Sequence, residues 1–412
     1  MPTIAEQLTQ LTQDRDDLVD NLTTKGITGL TGDETFTELV PEVLNIPSGG
    51  GTVEVKEKDV NFYDYDGTRL YSYTASEFAN LTEMPANPSH DGLTAQGWNW
   101  SLSDAKTYVA DYGELDVGQL YVTDDNSTRL YIEIPMDNFG IQTNITSSST
   151  ITIDWGDGTP TETKTDGYKR HTYTNKGKYI IKMTCSGTLS FVANGNYGSY
   201  IITKQDPVSV DYNKPFLNTL KKIEFGNNVN LRDYSFSNLK CLETIVGVPI
   251  NTTIPDSCLL ETSNLKCFVV KNGVTSLGTS LTQSSRIKLI LPNTITAINS
   301  STLNQYSHKI SLPSSLTSIG SYGISNISSI PYLKIPASVN TISMYAFNAS
   351  YGPAYFDFSH HTSIPSLGDS GFGGIKAFQK IIVPDDLYEN WIAATNWSTY
   401  ASNIVKKSES GL

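Results

Sequence analysis

The sequence predicts a multidomain, mainly β protein that begins with a helical segment and ends in a repeat solenoid. Three observations predict this architecture. The 412 residues are 38% hydrophobic and 17% charged with 31 Gly, a composition typical of turn-rich globular domains. Apolar residues recur at coiled-coil spacing near the N-terminus, and a motif recurs every 21 to 25 residues in the C-terminal half. The predicted segments are 1–47, 48–52, 53–118, 119–207 and 208–412.

The first 47 residues predict a helical anchor or oligomerisation segment. Thr3 and Glu6 have the spacing of a capping box. A seam with 4/3 spacing follows, at Ile4, Leu8, Leu11, Leu18 and Leu22. The Gly-rich linker 48–52 predicts a flexible tether, which leaves these helices little of their own chain to pack against. We therefore expect self-association, as a dimer or a trimer, or docking to another protein; the alternative is a helical hairpin packed on the next domain.

The same N-terminal pattern carries a resemblance. The stretches IAEQLTQLTQDRDDLVDNLTTKGI and DETFTELVPEVLNI resemble the N-terminal segment of many bacteriophage structural proteins, in particular fibres and tail-associated proteins. The resemblance implies attachment to other virion proteins, of the capsid or the tail.

Residues 53–118 predict a small α+β module. The alternating stretch VNFYDYDG indicates a strand, and a turn and TRLYSYT follow it. TASEFANL indicates a helix, and the aromatic stretch GWNWSLSDAKTYVADYG comes after it. DYDG at 64–67 imitates the start of a calcium loop, but Ala75 occupies the twelfth position where glutamate is expected. We predict a plain turn there.

Residues 119–207 predict a β-rich domain. TITIDWGDGTPTE runs into a Gly-Asp-Gly turn, and RHTYTNKGKYIIKMT adds two strand signals. These motifs resemble the PKD-type immunoglobulin-like β-sandwich, which implies that Asp157 shapes the turn and that Tyr173 packs in the core. Asp154 and Asp157 could together hold an ion, but the turn is the prediction.

The C-terminal repeat is defined by an apolar anchor in each unit, at Phe225, Val248, Val270, Leu291, Leu312, Ile335, Phe358 and Val383. Another apolar residue precedes every anchor by two, at Ile223, Val246, Phe268, Leu289, Ile310, Leu333, Phe356 and Ile381. This spacing places both side chains on one face of a short strand. Further apolar groups follow at Leu277, Ile298, Ile319 and Ile342, and at Phe236, Leu281, Leu303, Ile324 and Phe347. Stacked units bury these faces together, which predicts a β-solenoid.

The repeat units LPSSLTSIGSYGI and IPASVNTISMYAF resemble BspA-like leucine-rich repeats. The resemblance implies a leucine-rich-repeat solenoid over 208–412. It also implies a closing cap in which Trp391 and Trp397 seal the last coil.

Charge and motifs argue against catalysis. The net charge is −13, so nucleic acid is an unexpected partner. The 95 residues from Thr262 to Phe356 contain no Asp or Glu, and no nucleophile elbow, zinc helix or phosphate loop occurs. We predict no catalytic, cofactor-binding or metal-binding residue, and therefore no enzyme. The candidate binding-surface aromatics are Tyr306, Tyr322, Tyr332, Tyr345, Tyr351 and Tyr355.

Taken together, these features predict a phage virion protein, a head or tail fibre. The N-terminus would attach to the particle, the two middle modules would form a stalk, and the repeat would contact a host-surface glycan or protein. The alternatives are a capsid decoration without receptor role and a bacterial cell-surface adhesin. The N-terminus has no basic region before an apolar core and no apolar run is long enough for a membrane span, so we expect synthesis in the host cytoplasm and no membrane insertion.

Overall fold

The computed structural model describes residues 57–143, 145–164, 169–193, 202–204, 219–282, 287–304, 309–327, 331–349 and 352–411, and five single residues before them. The chain divides into two compact units, Met1–Val55 and Lys56–Leu412. In the first unit Thr12, Arg15, Leu18 and Val19 are helical, with Leu18 half-buried and Val19 buried. The other predicted seam residues lie outside the described residues, so the coiled-coil seam stays a prediction: Ile4, Leu8, Leu11 and Leu22.

The second unit is mainly β and opens with the small module, a four-stranded sheet that carries two helices. The strands are β1 (Val60–Tyr63), β2 (Arg69–Tyr73), β3 (Leu93–Trp98) and β4 (Leu115–Thr123), in the order β2-β1-β4-β3. The helices are α1 (Ala75–Ala79) and α2 (Leu102–Tyr112). Each begins at a hydroxyl cap, because Thr74 and Ser101 accept hydrogen bonds from first-turn amides. Gly113, in the left-handed region at φ 80°, ends α2.

Nine strands follow the small module. They are β5 (Thr128–Ile134), β6 (Phe139–Thr143), β7 (Thr146–Ser147), β8 (Ile151–Asp154), β9 (Glu162–Lys164), β10 (Lys169–Tyr173), β11 (Gly177–Thr184), β12 (Leu189–Phe191) and β13 (Ile202–Lys204). β5, β11, β8 and β9 are neighbours in one sheet, while β10, β6 and β13 form another. Residues of both sheets share one core, among them Leu130, Ile141, Trp155, Tyr173 and Ile181. We call residues 124–204 the β domain.

The C-terminal part is a solenoid with two parallel ladders of strands. The first ladder comprises β14 (Leu220–Glu224), β16 (Thr244–Val246), β18 (Cys267–Val269), β20 (Lys288–Ile290), β23 (Tyr332–Lys334), β25 (Tyr355–Asp357), β27 (Lys380–Val383) and β28 (Ile404–Lys406). The second comprises β15 (Val229–Leu231), β17 (Thr253–Ile254), β19 (Ser276–Leu277), β21 (Ala297–Ile298), β22 (Ser318–Ile319), β24 (Thr341–Ile342) and β26 (Ser366–Leu367). A turn closes each coil. Among the described residues of this part, one α-helix occurs, α3 (Tyr388–Ala393), together with short 3-10 helices at Asp385–Leu387, Ser398–Tyr400 and Lys407–Glu409.

The predicted repeat is confirmed in its register. Leu333, Phe356 and Ile381 are successive partners in the first ladder, and Phe268 pairs with Leu289. In the second ladder four predicted residues follow one another as partners: Leu277, Ile298, Ile319 and Ile342. All of these side chains are buried, so neighbouring coils bury each other's apolar faces as expected.

One early coil departs from the predicted register. Ile223 pairs with Ile245, whereas the sequence predicted Val246 as its equivalent. The predicted anchor Val248 is only half-buried. A close approach explains the shift, because a Cβ at Gly247 would lie 2.6 Å from the Cβ of Phe225. In the next coil Gly247, which has no side chain, therefore lies beside Phe225. The pairing register of this coil is shifted by one residue from the predicted one.

The β domain covers the first coil of the solenoid. β14 pairs antiparallel with β5, and β15 pairs parallel with β12, so both ladders continue into the β domain. In the turn between the ladders, Ser235 donates to the Phe191 carbonyl at 2.7 Å. Open strand edges are sites of unwanted pairing, and these contacts remove them at one end.

The last coil is covered by the C-terminal residues. Trp397 Nε1 donates to the Pro365 carbonyl at 2.8 Å, and Asn396 Nδ2 donates to the Leu367 carbonyl at 2.6 Å. β28 continues the first ladder beside β27. Trp391 and Trp397 are buried against Phe358, so they lie where the sequence predicted a cap.

Candidate binding surface

The outer face of the first ladder, the strand face, is covered by the small module. Asn99 Nδ2 donates to the carbonyls of Val270 (3.1 Å) and Ile290 (3.2 Å). Trp100 Nε1 donates to the Leu291 carbonyl at 2.7 Å. Further along, Tyr108 OH donates to the Leu312 carbonyl at 2.8 Å. The three donor side chains are all buried, so this is a dry interface within one chain.

β4 crosses the strand face, and alternate positions meet successive coils. Glu114 pairs with Lys309 at 2.5 Å, and Asp116 pairs with Lys288 at 2.6 Å. A Cβ at Gly118 would lie 2.4 Å from a methyl of Val269. At the end of the strand, the Thr123 amide donates to the Phe225 carbonyl. Because residues two apart lie on one face of a strand, Glu114, Asp116 and Gly118 contact three successive coils in order.

The Lys288–Asp116 pair is the buried electrostatic contact of this interface. The Lys288 ammonium also lies 4.4 Å from the centroid of the Tyr63 ring. Burial alone would lower the pKa of Lys288, but the Asp116 carboxylate and Tyr63 outweigh it and hold that pKa above its usual range. Lys288 therefore keeps its charge at neutral pH.

This packing corrects the expectation of a stalk. The small module lies along the solenoid and contacts its coils from Phe225 to His360, so it does not form a stalk apart from the repeat. The physical reason is apolar surface on both partners. Cys267 and Ile290 point outward from the strand face and are buried together with Tyr63 of β1.

Glu224 joins the three parts of the second unit. Its carboxylate accepts from Tyr131 OH at 2.8 Å and pairs with Lys222 at 2.8 Å and Arg129 at 3.4 Å. Arg129 also donates to the Gly92 carbonyl of the small module. The Glu224 side chain is 3% exposed. We interpret this network as a structural link between the small module, the β domain and the solenoid rather than as a reactive site.

Asp157 lies in the Gly-Asp-Gly turn of the β domain. Its carboxylate accepts from the Thr159 amide at 3.1 Å and contacts His171 Nε2 at 2.7 Å. His171 stacks on Trp155 with 4.8 Å between ring centroids. Burial alone would raise the pKa of Asp157, but the hydrogen bonds from Thr159 and His171 lower it. Asp154 accepts from the Gly156 amide, so both carboxylates hold the turn.

The DYDG segment forms a turn of the small module. The Gly67 amide donates to the Asp64 carbonyl, and the Thr68 amide donates to Asp66 Oδ1. The Asp64 carboxylate contacts His90 Nε2 at 2.8 Å. Across the described ranges, no three His, Cys, Asp or Glu residues are grouped to hold a metal ion. None of the helices described is long and apolar enough to cross a membrane.

Four of the six candidate tyrosines form two pairs on different faces. Tyr322 and Tyr345 stack with centroids 5.2 Å apart and planes at 11°. Tyr332 and Tyr355 lie 6.3 Å apart and tilted, with Tyr332 OH donating to Asp357. Each pair is 23 residues apart (345 − 322 and 355 − 332), one repeat, which brings its members together in successive coils. Tyr306 and Tyr351 lie outside the described residues.

The first pair lies at the turn that closes each coil, which we call the turn face. Tyr322 and Tyr345 adopt left-handed backbone conformations, both at φ 54°. Beside them Met344 is 47% exposed. Sequence reasoning missed Met344; the available signal was that it is apolar where the neighbouring unit has Ser321.

Tyr332 and Tyr355 belong to the strand face. Both are half-buried, on β23 and β25. Lys334, on the same strand as Tyr332, donates to the Tyr112 carbonyl of the small module, and the Tyr112 ring lies 5.4 Å from that of His360. The second pair therefore lies in coils that the module contacts.

Comparison with known families identifies the type of repeat. Residues 212–288 and 280–390 match the BspA type leucine-rich repeat region, in six copies. Comparison of the chain with curated proteins gave no match. The matched residues contain the paired strands of both ladders from β14 to β27. Residues 212–390 of this chain are therefore a region of BspA-type leucine-rich repeats.

Proposed function

We propose that the chain is an attachment protein of a bacteriophage particle, a head or tail fibre whose second unit binds a host-surface glycan or protein. The observation that carries this proposal is the surface that the solenoid leaves open. Its two ends and its strand face are covered within the chain, while the turn face and the second ladder are exposed. These two faces are the ones a partner would meet.

The exposed second ladder is rich in hydroxyl groups that are already bonded. The Thr275, Thr296 and Thr317 hydroxyls donate to carbonyls of the preceding coil at 3.2, 3.1 and 3.0 Å. This region contains no Asp or Glu from Thr262 to Phe356. The described strands of the second ladder carry no charged residue, which favours a ligand held by packing and hydrogen bonds, with little dependence on salt.

The extensive packing within the second unit supports a binding role. The Glu224 network and the module interface join the described parts of the second unit, and parallel pairing links the coils. A surface that is already ordered loses little conformational entropy when it binds.

The anchoring half of the proposal rests on the sequence. The N-terminal segment 1–47, as a dimer or trimer, would join capsid or tail proteins, and residues 119–207 would be a PKD-type immunoglobulin-like sandwich. The turn around Asp157, with Trp155 beneath His171, supports the latter.

Deleting residues 1–47 tests the two halves separately. We expect particles to lose the truncated protein, while the purified truncated protein still binds host cells in a pull-down. Incorporation of the truncated protein would refute the anchor. Particles that carry the full chain, together with a purified chain that binds no host cell, would favour a capsid decoration. Location on the bacterial surface, with none on particles, would favour an adhesin.

A further inference from the structure

One backbone position of the turn face is left-handed in every described coil. Serine occupies it in four coils with φ between 52° and 56°, at Ser257, Ser280, Ser301 and Ser370. Tyrosine occupies it in three coils, at Tyr234 of the first coil and at Tyr322 and Tyr345 of two adjacent coils. A left-handed conformation costs about 1 kcal/mol or more for a residue other than glycine, whichever side chain it carries.

The preceding position shows the same departure. It is polar in the other coils, at Asp256, Thr279, Ser300, Ser321 and Asp369, but apolar at Met344. Met344 is 47% exposed and Tyr322 is 38% exposed. Two neighbouring coils therefore replace polar residues by exposed apolar ones at adjacent positions. A clustered exposed apolar patch on a soluble protein indicates a contact surface.

Backbone of the next coil lies beside Tyr345 and Met344, and we call it the floor of the patch. A Cβ at Gly373 would lie 3.0 Å from Cδ1 of Tyr345, and a Cβ at Gly368 would lie 2.3 Å from the Met344 amide nitrogen. Glycine at these positions lets the next coil approach the tyrosine ring closely. The patch therefore joins aromatic rings to a polar floor of peptide groups.

We infer that Tyr322, Met344 and Tyr345 form a binding site for a neutral saccharide. This inference rests on the proposed attachment function and names its site and ligand class. A saccharide has an apolar ring face and a hydroxyl edge, which match the tyrosine rings and the polar floor. Rigid aromatic rings provide contact area at small entropic cost.

Size favours a saccharide over a protein. A fully exposed aromatic side chain presents about 150 to 250 Å², so these three expose on the order of 200 Å² together. A stable protein interface needs about 800 Å² on each partner. No acidic residue occurs between Thr262 and Phe356, and the coil after the patch contributes one, Asp369, whose backbone carbonyl accepts from the Tyr345 amide.

The double variant Tyr322→Ser/Tyr345→Ser tests the site in the full chain. Serine is the residue that other coils carry at this backbone position, so the fold should be retained. Tyr234→Ser is the matched control, because Tyr234 has φ 62° and occupies the same position in the first coil. The probes are purified neutral polysaccharides (a glucan, a mannan and a galactan) in affinity electrophoresis, with circular dichroism to verify folding.

We expect at least one polysaccharide to retard the wild-type chain, also in 0.5 M NaCl. The double variant should bind at least tenfold more weakly, and the control within twofold of wild type. Equal binding by the double variant, or loss of retardation at high salt, would overturn the inference.

The outcomes separate the inference from the proposed function. Host-cell binding that persists in the double variant, or that protease treatment of the cells abolishes, refutes the saccharide site and leaves attachment standing. A wild-type chain that binds neither cells nor polysaccharides refutes both.

Discussion

The strand face and the turn face belong to the same coils but differ in their exposure to solvent. Outward residues of the strand face, such as Cys267 and Ile290, are buried by the small module. On the turn face, Tyr322 and Met344 remain exposed. The repeat thus provides several surfaces along its length. Which of them is exposed depends on how the other parts of the chain pack against the coils.

The most disruptive change we expect on the strand face is Trp100→Ala. It removes a buried indole and its hydrogen bond to the Leu291 carbonyl, and large-to-small changes of this kind cost about 3 to 5 kcal/mol. Urea denaturation measures the free energy of unfolding. The matched control is Phe378→Ala, since Phe378 is 70% exposed and its loss should cost less than about 0.5 kcal/mol. Equal effects of both variants would mean that the module does not cover the strand face.

The lysines of the strand face provide a sharper comparison. Lys288→Met leaves Asp116 buried without its cation, which should cost about 3 to 5 kcal/mol in the same denaturation experiment. The double variant Lys288→Met/Asp116→Asn should recover most of this loss.

Lys309→Met is the control for that comparison. The Lys309–Glu114 side chains are 36% and 35% exposed, so this change should cost less than about 1 kcal/mol. A loss at Lys309 as large as that at Lys288 would contradict the burial that the two pairs show.

A smaller, pH-dependent effect is expected at His361, inside the capped end of the solenoid. Its Nδ1 lies 3.1 Å from the Phe358 carbonyl and its Nε2 3.2 Å from the Val339 carbonyl. Burial lowers its pKa from 6.5, although both carbonyls act in the opposite direction. The unfolded chain therefore binds the proton first as pH falls. This contribution to stability is complete above pH 6.5 and is lost as pH falls toward the folded pKa.

The measurement is the free energy of unfolding at pH 7.5 and pH 5.0, for wild type and for His361→Asn. Because burial raises the pKa of Asp64 and gives that group the opposite pH dependence, the difference between the two proteins is the relevant quantity. Wild type should lose more stability on acidification than the variant. An identical loss would show that His361 is not buried.

The sequence predicted the solenoid well because its signal is local and repeated. A column such as Leu277, Ile298, Ile319 and Ile342 needs only regular spacing, and stacking then follows. The docking of the small module could not be predicted in this way. Asn99 and Ile290 are 191 positions apart, and no periodicity links them. The stretch GWNW was a signal only for aromatic content.

The candidate site was predictable in part. The 23-residue spacing within each tyrosine pair follows from the repeat and could be read from the sequence. Which face a pair occupies could not, because it depends on the left-handed backbone at Tyr322 and Tyr345 and on the strand positions of Tyr332 and Tyr355. The slip at Gly247 likewise depends on a contact with Phe225.

Thiol labelling at Cys267 most directly tests whether the strand face is covered and the turn face open. Cys267 points outward from β18 but is fully buried against Tyr63, and burial raises its pKa to about 12. In the native full chain treated with a maleimide, mass spectrometry should find Cys267 unmodified, while a thiol introduced by Met344→Cys reacts rapidly. Modification of Cys267 at the rate of the introduced thiol would contradict the account.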